Sequence, residues 1–142
     1  MEYKTNVQMR MIGLQRFYIL TKQIKMSKVL ITGWAWFVGS HLAEYCMDRW
    51  HEVVVVDDLS WWFERNIPNW VSFYKVDITN AVELHRVFDI ERPDYVYHLA
   101  CFAAEWLSHF IRSFIVKNVF MWSTNVINEC IKYKVKRLIF TH

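Results

Sequence analysis

The sequence predicts an α/β fold, a doubly wound parallel sheet with helices on both faces. Three observations carry that prediction. Short apolar runs alternate with stretches of helical period from about residue 28 to residue 141. The first run, Val29-Leu30-Ile31-Thr32, leads into Gly33 and then a helix. The second, Val53 to Val56, is wholly β-branched, as a strand buried on both faces is, and it ends in Asp57-Asp58.

The elements follow in order. After the first strand, a helix is expected over Val38 to Arg49, with Leu42, Ala43, Cys46 and Met47 on one face. Glu52 to Val56 is the second strand, residues 59–70 are a loop containing Pro68 and Asn69, and Val71 to Val76 is the third strand. Thr79 or Asn80 can cap the next helix, whose apolar positions are Val82, Leu84, Val87 and Phe88 and which Pro93 ends. Tyr95 to Ala100 is the fourth strand. Glu105 to Phe114 and Asn118 to Tyr133 read as two helices, the second with Val119, Trp122, Val126, Ile127, Cys130 and Ile131 on one side. Arg137 to Thr141 is the fifth strand. Strands joined through helices imply right-handed parallel crossovers. Residues 1–26 fit no element, and Met26 reads as a natural start, so they are expected to be an extension outside a single domain over 27–142.

Composition narrows the function classes. With 54% apolar and 22% charged residues, the chain has the make-up of a soluble globular domain. No apolar run approaches the roughly 20 residues of a membrane span. Cys46, Cys101 and Cys130 form no CxxC pair and the histidines show no ligand spacing. Neither a metal site nor a disulfide framework is expected, and a reducing cytoplasm is. Residues 1–25 carry Lys4, Arg10, Arg16, Lys22 and Lys25 against Glu2, a charge of +4 that leaves the remainder at −1. A basic leader on a near-neutral domain is no nucleic-acid footprint.

In this fold a ligand lies beyond the carboxyl ends of the strands, where the strand order reverses. The turn after the first strand sets backbone N–H groups and a helix N-terminus against a pyrophosphate. Glycines serve there for positive φ, close ligand approach and tight packing of helix on strand. Gly33 and Gly39 hold the first and last of these places, and Trp36 stands in the middle one. Asp57, 24 residues after Gly33, stands where a carboxylate accepts hydrogen bonds from the adenine ribose. It favours NAD, because it would repel a 2′-phosphate. His98 ends the fourth strand and reads as structural rather than catalytic.

These residues resemble a known family. "VLITGWAWFVGSHL" is similar to the TGxxGxxG opening of extended short-chain dehydrogenase/reductases, the NAD-dependent sugar-nucleotide epimerases and dehydratases. "VVVVDDLS", "FYKVDITN", "RPDYVYHLA" and "VKRLIFT" match later blocks in order and spacing. The likeness is greatest to UDP-glucose 4-epimerase-like members and covers about residues 28–142. It implies a Rossmann-like fold and NAD as cofactor. Gly33, Gly39 and the site of Trp36 would form the pyrophosphate turn, with Phe37 and Val38 beside the phosphates. Asp57 would hold the adenine ribose, Asp77 and Ile78 would flank the adenine, and Leu99 and Ala100 would line the cofactor on its nicotinamide side. A nucleotide-sugar substrate and a homodimer built on the helices near 105–133 are implied as well; Phe110, Phe114, Phe120 and Met121 could serve the latter or simply form core.

The chain also departs from the family pattern. Cys101 stands where Ala or Gly is frequent, and Val119, with Asn118 beside it, where many members place an Asn near the cofactor. The family's Ser/Thr beyond the fifth strand and its YxxxK pair would lie past His142, so this stretch is expected to be an N-terminal, cofactor-binding portion, inactive alone. A non-catalytic dinucleotide-binding or regulatory domain and a nonfunctional gene remnant are the alternative readings.

The eight tryptophans are anomalous. Only three glycines occur, where the usual share of about 7% would give about ten. Trp34, Trp36, Trp50, Trp61, Trp62, Trp70, Trp106 and Trp122 all fall in glycine-like places. A gene whose own code reads UGA as glycine, translated with a table that reads it as tryptophan, would produce this pattern. With real indoles, Trp36 would project into the pyrophosphate space and Trp34 would be forced into a glycine-type backbone.

Overall fold

The computed structural model describes residues 26–34, 37–60, 71–101 and 109–141. Residues 1–25, Trp36, most of the 59–70 loop and the start of the helix expected from Glu105 lie outside the described residues. Strands β1 (Lys28–Thr32), β2 (Glu52–Asp57), β3 (Ser72–Lys75), β4 (Tyr95–His98) and β5 (Arg137–Phe140) alternate with helices α1 (Phe37–Met47), α2 (Ala81–Glu91) and α3 (Arg112–Lys132). The five strands form one sheet in the order β3-β2-β1-β4-β5, and every pairing is parallel. The expected doubly wound fold is therefore present, and its order reverses beside β1.

The pleat sorts side chains to the two faces. Leu30, Val54, Val56 and Val96 pack with Leu84, Val87 and Phe88 of α2 and Val126 and Cys130 of α3. On the other face Val29, Ile31, Val53 and Val55 meet Ala43 and Cys46 of α1. Alternation along one strand thus serves two cores, which is why β2 reads as four successive valines. Edge strands β3 and β5 are only half buried, and their sequences carry Lys75 and Arg137 accordingly.

The helices differ from expectation in particular places. The break expected between Phe114 and Asn118 is absent: α3 runs continuously from Arg112. Asn118 does not cap a new helix, because its Nδ2 donates 2.8 Å to the Phe114 carbonyl one turn back. The helix expected over Glu105 to Phe114 does not extend through 109–111, which form a turn leading into α3. Val82, Ile127 and Ile131, expected on core faces, are 62%, 41% and 72% exposed. In α2, positions 84, 87 and 88 define the inward face, and 100° per residue puts 82 opposite.

Three helix ends close on non-glycine residues in left-handed geometry. At α1, Trp50 has φ 63°, its N–H donates to the Met47 carbonyl, and the His51 N–H donates to that of Cys46. That is a Schellman motif with tryptophan at C′. Lys134, with φ 55°, repeats it after α3 through bonds from Lys134 to Ile131 and from Val135 to Cys130. Arg92, φ 48°, ends α2 with its N–H on the Phe88 carbonyl.

At the amino ends of the strands, charged groups form a clasp. Lys28 Nζ lies 2.7 Å from Glu91 and 2.8 Å from Glu52. Tyr74 Oη donates to Glu91 at 2.5 Å, which pushes the phenol up to about 12. The Lys28 backbone N–H donates to Asp94 at 3.0 Å.

Candidate functional site

The carboxyl ends of β1 and β4 lie side by side, with Thr32 in register with His98, and β2 flanks Thr32 at Val56. The crevice where the strand order reverses is therefore lined by Thr32-Gly33 on one side and His98-Leu99-Ala100 on the other. Gly33 leaves β1 at φ +77°, and a Cβ there would come within 2.4 Å of the Ala100 nitrogen. Its N–H donates to the Val56 carbonyl. Both reasons for glycine hold at this position, positive φ and close approach.

Gly39, in the first turn of α1, is buried because the helix sits directly on the turn. A Cβ there would meet Trp34 Cα at 2.6 Å and the Gly33 carbonyl oxygen at 2.7 Å. Phe37 and Val38 begin the helix and are 70% and 57% exposed. No acidic residue occupies this first turn, so the helix does not itself offset the positive end of its dipole. An anion is the natural complement.

Trp34 departs from expectation. It is not among the described residues with positive φ, so it is not forced into a glycine-type backbone. Its side chain is 4% exposed and packs on the α1 face of the sheet with Ile31, Ala43, Cys46 and Leu99. The cost falls elsewhere, since its Nε1 is buried with no hydrogen-bond partner, a loss of about 1–3 kcal/mol. Trp36, the other indole expected at the turn, lies outside the described residues.

Asp57 ends β2, beside the turn. Its Oδ1 accepts from the Leu59 N–H at 2.8 Å, and its carbonyl accepts from Val76, so the carboxylate is oriented by its own loop. Asp77 is exposed and uses Oδ1 on the Thr79 N–H. Ile78 is turned inward, 6% exposed in the core with Leu84 and Val126. Its carbonyl accepts from Asn125 Nδ2 at 2.9 Å, which ties the 77–79 loop to α3. Leu99 is likewise buried, and Ala100 partly so. The structure thus brings Gly33, Gly39, Leu99 and Ala100 together, with Phe37, Val38 and Asp57 at the rim. Asp77 and Ile78 follow edge strand β3.

His98, read in the sequence as structural at the end of the fourth strand, is paired here with Thr32, a partner the sequence did not suggest. Thr32 Oγ1 and His98 Nδ1 are 2.6 Å apart, and His98 Nε2 lies 3.4 Å from Ser123 Oγ of α3. Burial lowers the imidazole to about 4, so it is neutral at pH 7. Thr32 directly preceding Gly33 was the available signal. For His98 the signal was its place at a strand end, but the 66 residues between the two hid their pairing.

The described residues fit a dinucleotide: a glycine turn, a helix whose first turn carries no acidic residue and an acidic strand end lie at the carboxyl ends of adjacent strands. Residues 29–142 match the NAD dependent epimerase/dehydratase family. The chain belongs to that family. Among similar proteins, the dTDP-D-glucose 4,6-dehydratase of Dictyostelium discoideum is 30% identical over 81% of this chain and 28% of its own length. The UDP-glucose 4-epimerase of Streptomyces lividans is 34% identical over 70% of this chain and 29% of its own. Of solved structures, the UDP-glucose 4-epimerase of Thermotoga maritima with UDP-glucose superposes with a TM-score of 0.75 at 34% identity, covering 80% of this chain and 37% of that one. The Thermus thermophilus UDP-glucose 4-epimerase in complex with NAD gives 0.75 at 32% identity, covering 78% and 36%. This family member therefore spans less than two-fifths of the length of these relatives, with its sheet equivalent to theirs.

Proposed function

We propose that this chain is the NAD-binding portion of a sugar-nucleotide epimerase or dehydratase. The observation that carries the reading is the crevice between β1 and β4, with Gly33 at φ +77° against Ala100. When bound, NAD would supply the hydride acceptor and donor for a nucleotide-sugar carbon. The chain's own part is to bind and orient. Backbone at Gly33 to Gly39 and the α1 N-terminus would take the pyrophosphate, with Phe37 and Val38 beside it. Asp57 would accept from the adenine ribose hydroxyls and disfavour a 2′-phosphate. Asp77 and the backbone of Ile78 would border the adenine, and Leu99 and Ala100 the nicotinamide side. No residue here is assigned to acid–base chemistry on the sugar. The family contact expected near Asn118 and Val119 is not assigned either, since the Asn118 amide is bonded to its own helix.

Family membership also supports a homodimer through α3. Phe114, Phe120 and Met121 of α3 and Phe110 in the turn before it are 51%, 70%, 40% and 82% exposed, an apolar set that the fold leaves facing water.

Calorimetric titration tests the cofactor assignment. The chain with glycine at all eight tryptophan positions is expected to bind NAD more tightly than NADP. Asp57→Ala should weaken NAD binding about ten- to hundredfold, the effect of losing hydrogen bonds to a charged acceptor. Equal affinity for the two nucleotides, unaffected by Asp57→Ala, would overturn it.

A further inference from the structure

We infer that His98, as its Nε2–H tautomer, is the central link of a directional relay, Thr32–His98–Ser123, that fixes the Gly33–Ala100 contact lining the crevice. His98 is thereby a positioning residue. The inference deepens the cofactor assignment and rests on it for its purpose, though not for its geometry.

The direction follows from counting donors. The Ala100 N–H can only donate, and it points to Thr32 Oγ1 at 3.5 Å. The hydroxyl therefore accepts from Ala100 and has one proton of its own to place. Its other hydrogen-bond neighbour among the described residues is His98 Nδ1 at 2.6 Å; a hydroxyl can accept twice, but its proton finds no other acceptor there, so that nitrogen accepts. A neutral imidazole accepting at Nδ1 carries its proton on Nε2, which faces Ser123 Oγ at 3.4 Å. Each contact then joins one donor to one acceptor, with no donor facing a donor.

The placement gives the relay its use. Thr32 is 0% exposed and His98 1%, so water does not compete for these bonds. Thr32 precedes the turn glycine and His98 lies two residues before Ala100, where an added Cβ on Gly33 would already clash. Backbone bonds hold the same junction, with the Leu99 N–H on the Thr32 carbonyl at 2.9 Å. Those bonds fix β1 against β4 alone. Among the described residues the His98–Ser123 hydrogen bond carries this polar registration on to α3, the helix that also anchors the 77–79 loop through Asn125. Phe140 of β5 packs against the imidazole ring, with centroids 5.2 Å apart, and restricts its rotation.

The 142-residue chain, labelled with ¹⁵N, tests this without ligand. The His98 ring is expected to show a protonated Nε2 and an unprotonated Nδ1. His98→Leu should shift the Gly33 and Ala100 amide signals. His98→Asn, whose side-chain oxygen can take the place of Nδ1, should return them most of the way. Thr32→Val should shift Ala100 as His98→Leu does. A proton on Nδ1 would overturn the relay, as would Gly33 and Ala100 signals unmoved by His98→Leu or moved equally by Leu and Asn. If His98→Leu fails to fold, the parent's tautomer and Thr32→Val decide alone. Failure of the glycine-restored chain to bind NAD would overturn the cofactor assignment and leave these readouts standing, so the two failures are distinct.

Discussion

At Trp50 the backbone and the side chain disagree. A φ of 63° costs an L-residue roughly 1–2 kcal/mol, and the indole is 69% exposed, so little burial offsets it. Trp50→Gly is expected to raise stability by on the order of 1 kcal/mol, part of the relief being returned through the greater freedom of glycine in the unfolded chain. Urea midpoints of the two proteins measure it, and an unchanged or lowered midpoint would refute the strain. His98 gives a second residue-scale expectation. Its folded pKa, about 4, lies below the ordinary value of about 6.5. Between these values the unfolded chain binds more protons, so stability rises with pH across that window and is lost as pH falls from 6.5 toward 4. The loss approaches roughly 3 kcal/mol at most. His98→Asn removes the titrating group, so its urea midpoint should fall less than the parent's between pH 7 and pH 4.5. Parallel profiles would contradict the neutral, buried imidazole.

Among the elements, α3 carries the most open question. Its exposed Phe120, Ile127 and Ile131 lie at spacings of seven and four residues, which share a helix face. If that face pairs with a second copy, sedimentation should show a dimer that Phe120→Lys converts to monomer at matched concentration; a monomeric parent would sink the idea. This helix also shows where sequence reading falls short. β1 and β2 were legible because strands buried on both faces must be continuously apolar. The start of α3 was not, because Asn118 has the chemistry of an N-cap and equally that of a side chain bonding back to its own helix. Only the turn before Arg112 decides between them. Ile127 and Ile131 likewise sit close enough to the inward stripe to be counted with it. The glycine turn and Asp57 could be read from spacing alone, whereas the pairing of Thr32 with His98 depends on which strands become neighbours. Local pattern does not contain that information.

For the whole molecule, the tryptophans decide how much of the site is real. Trp50 occupies left-handed backbone, as a glycine would, yet Arg92 and Lys134 do so too, and neither can arise from a reread UGA. Helix ends in this chain therefore tolerate side chains, and Trp50 by itself does not discriminate. Trp34 is more informative, because the fold accommodates its ring only by burying an unpartnered Nε1. The chain with all eight positions glycine is expected to bind NAD more tightly than the chain as written, by calorimetry. Equal affinity would count against misreading as the cause of a blocked site, and one UGG among the eight codons would exclude its simple form. The two ends of the sheet, finally, are fastened by different chemistry. Neutral, buried hydrogen bonds hold the cofactor end, while Lys28, Glu52 and Glu91 hold the other with charges, of which Glu52 is the exposed one and Glu91 the shielded one. Ionic strength acts on the second kind far more than the first. Salt therefore weakens the exposed Lys28–Glu52 pair at the floor of this domain, while its ligand-bearing rim keeps its shape.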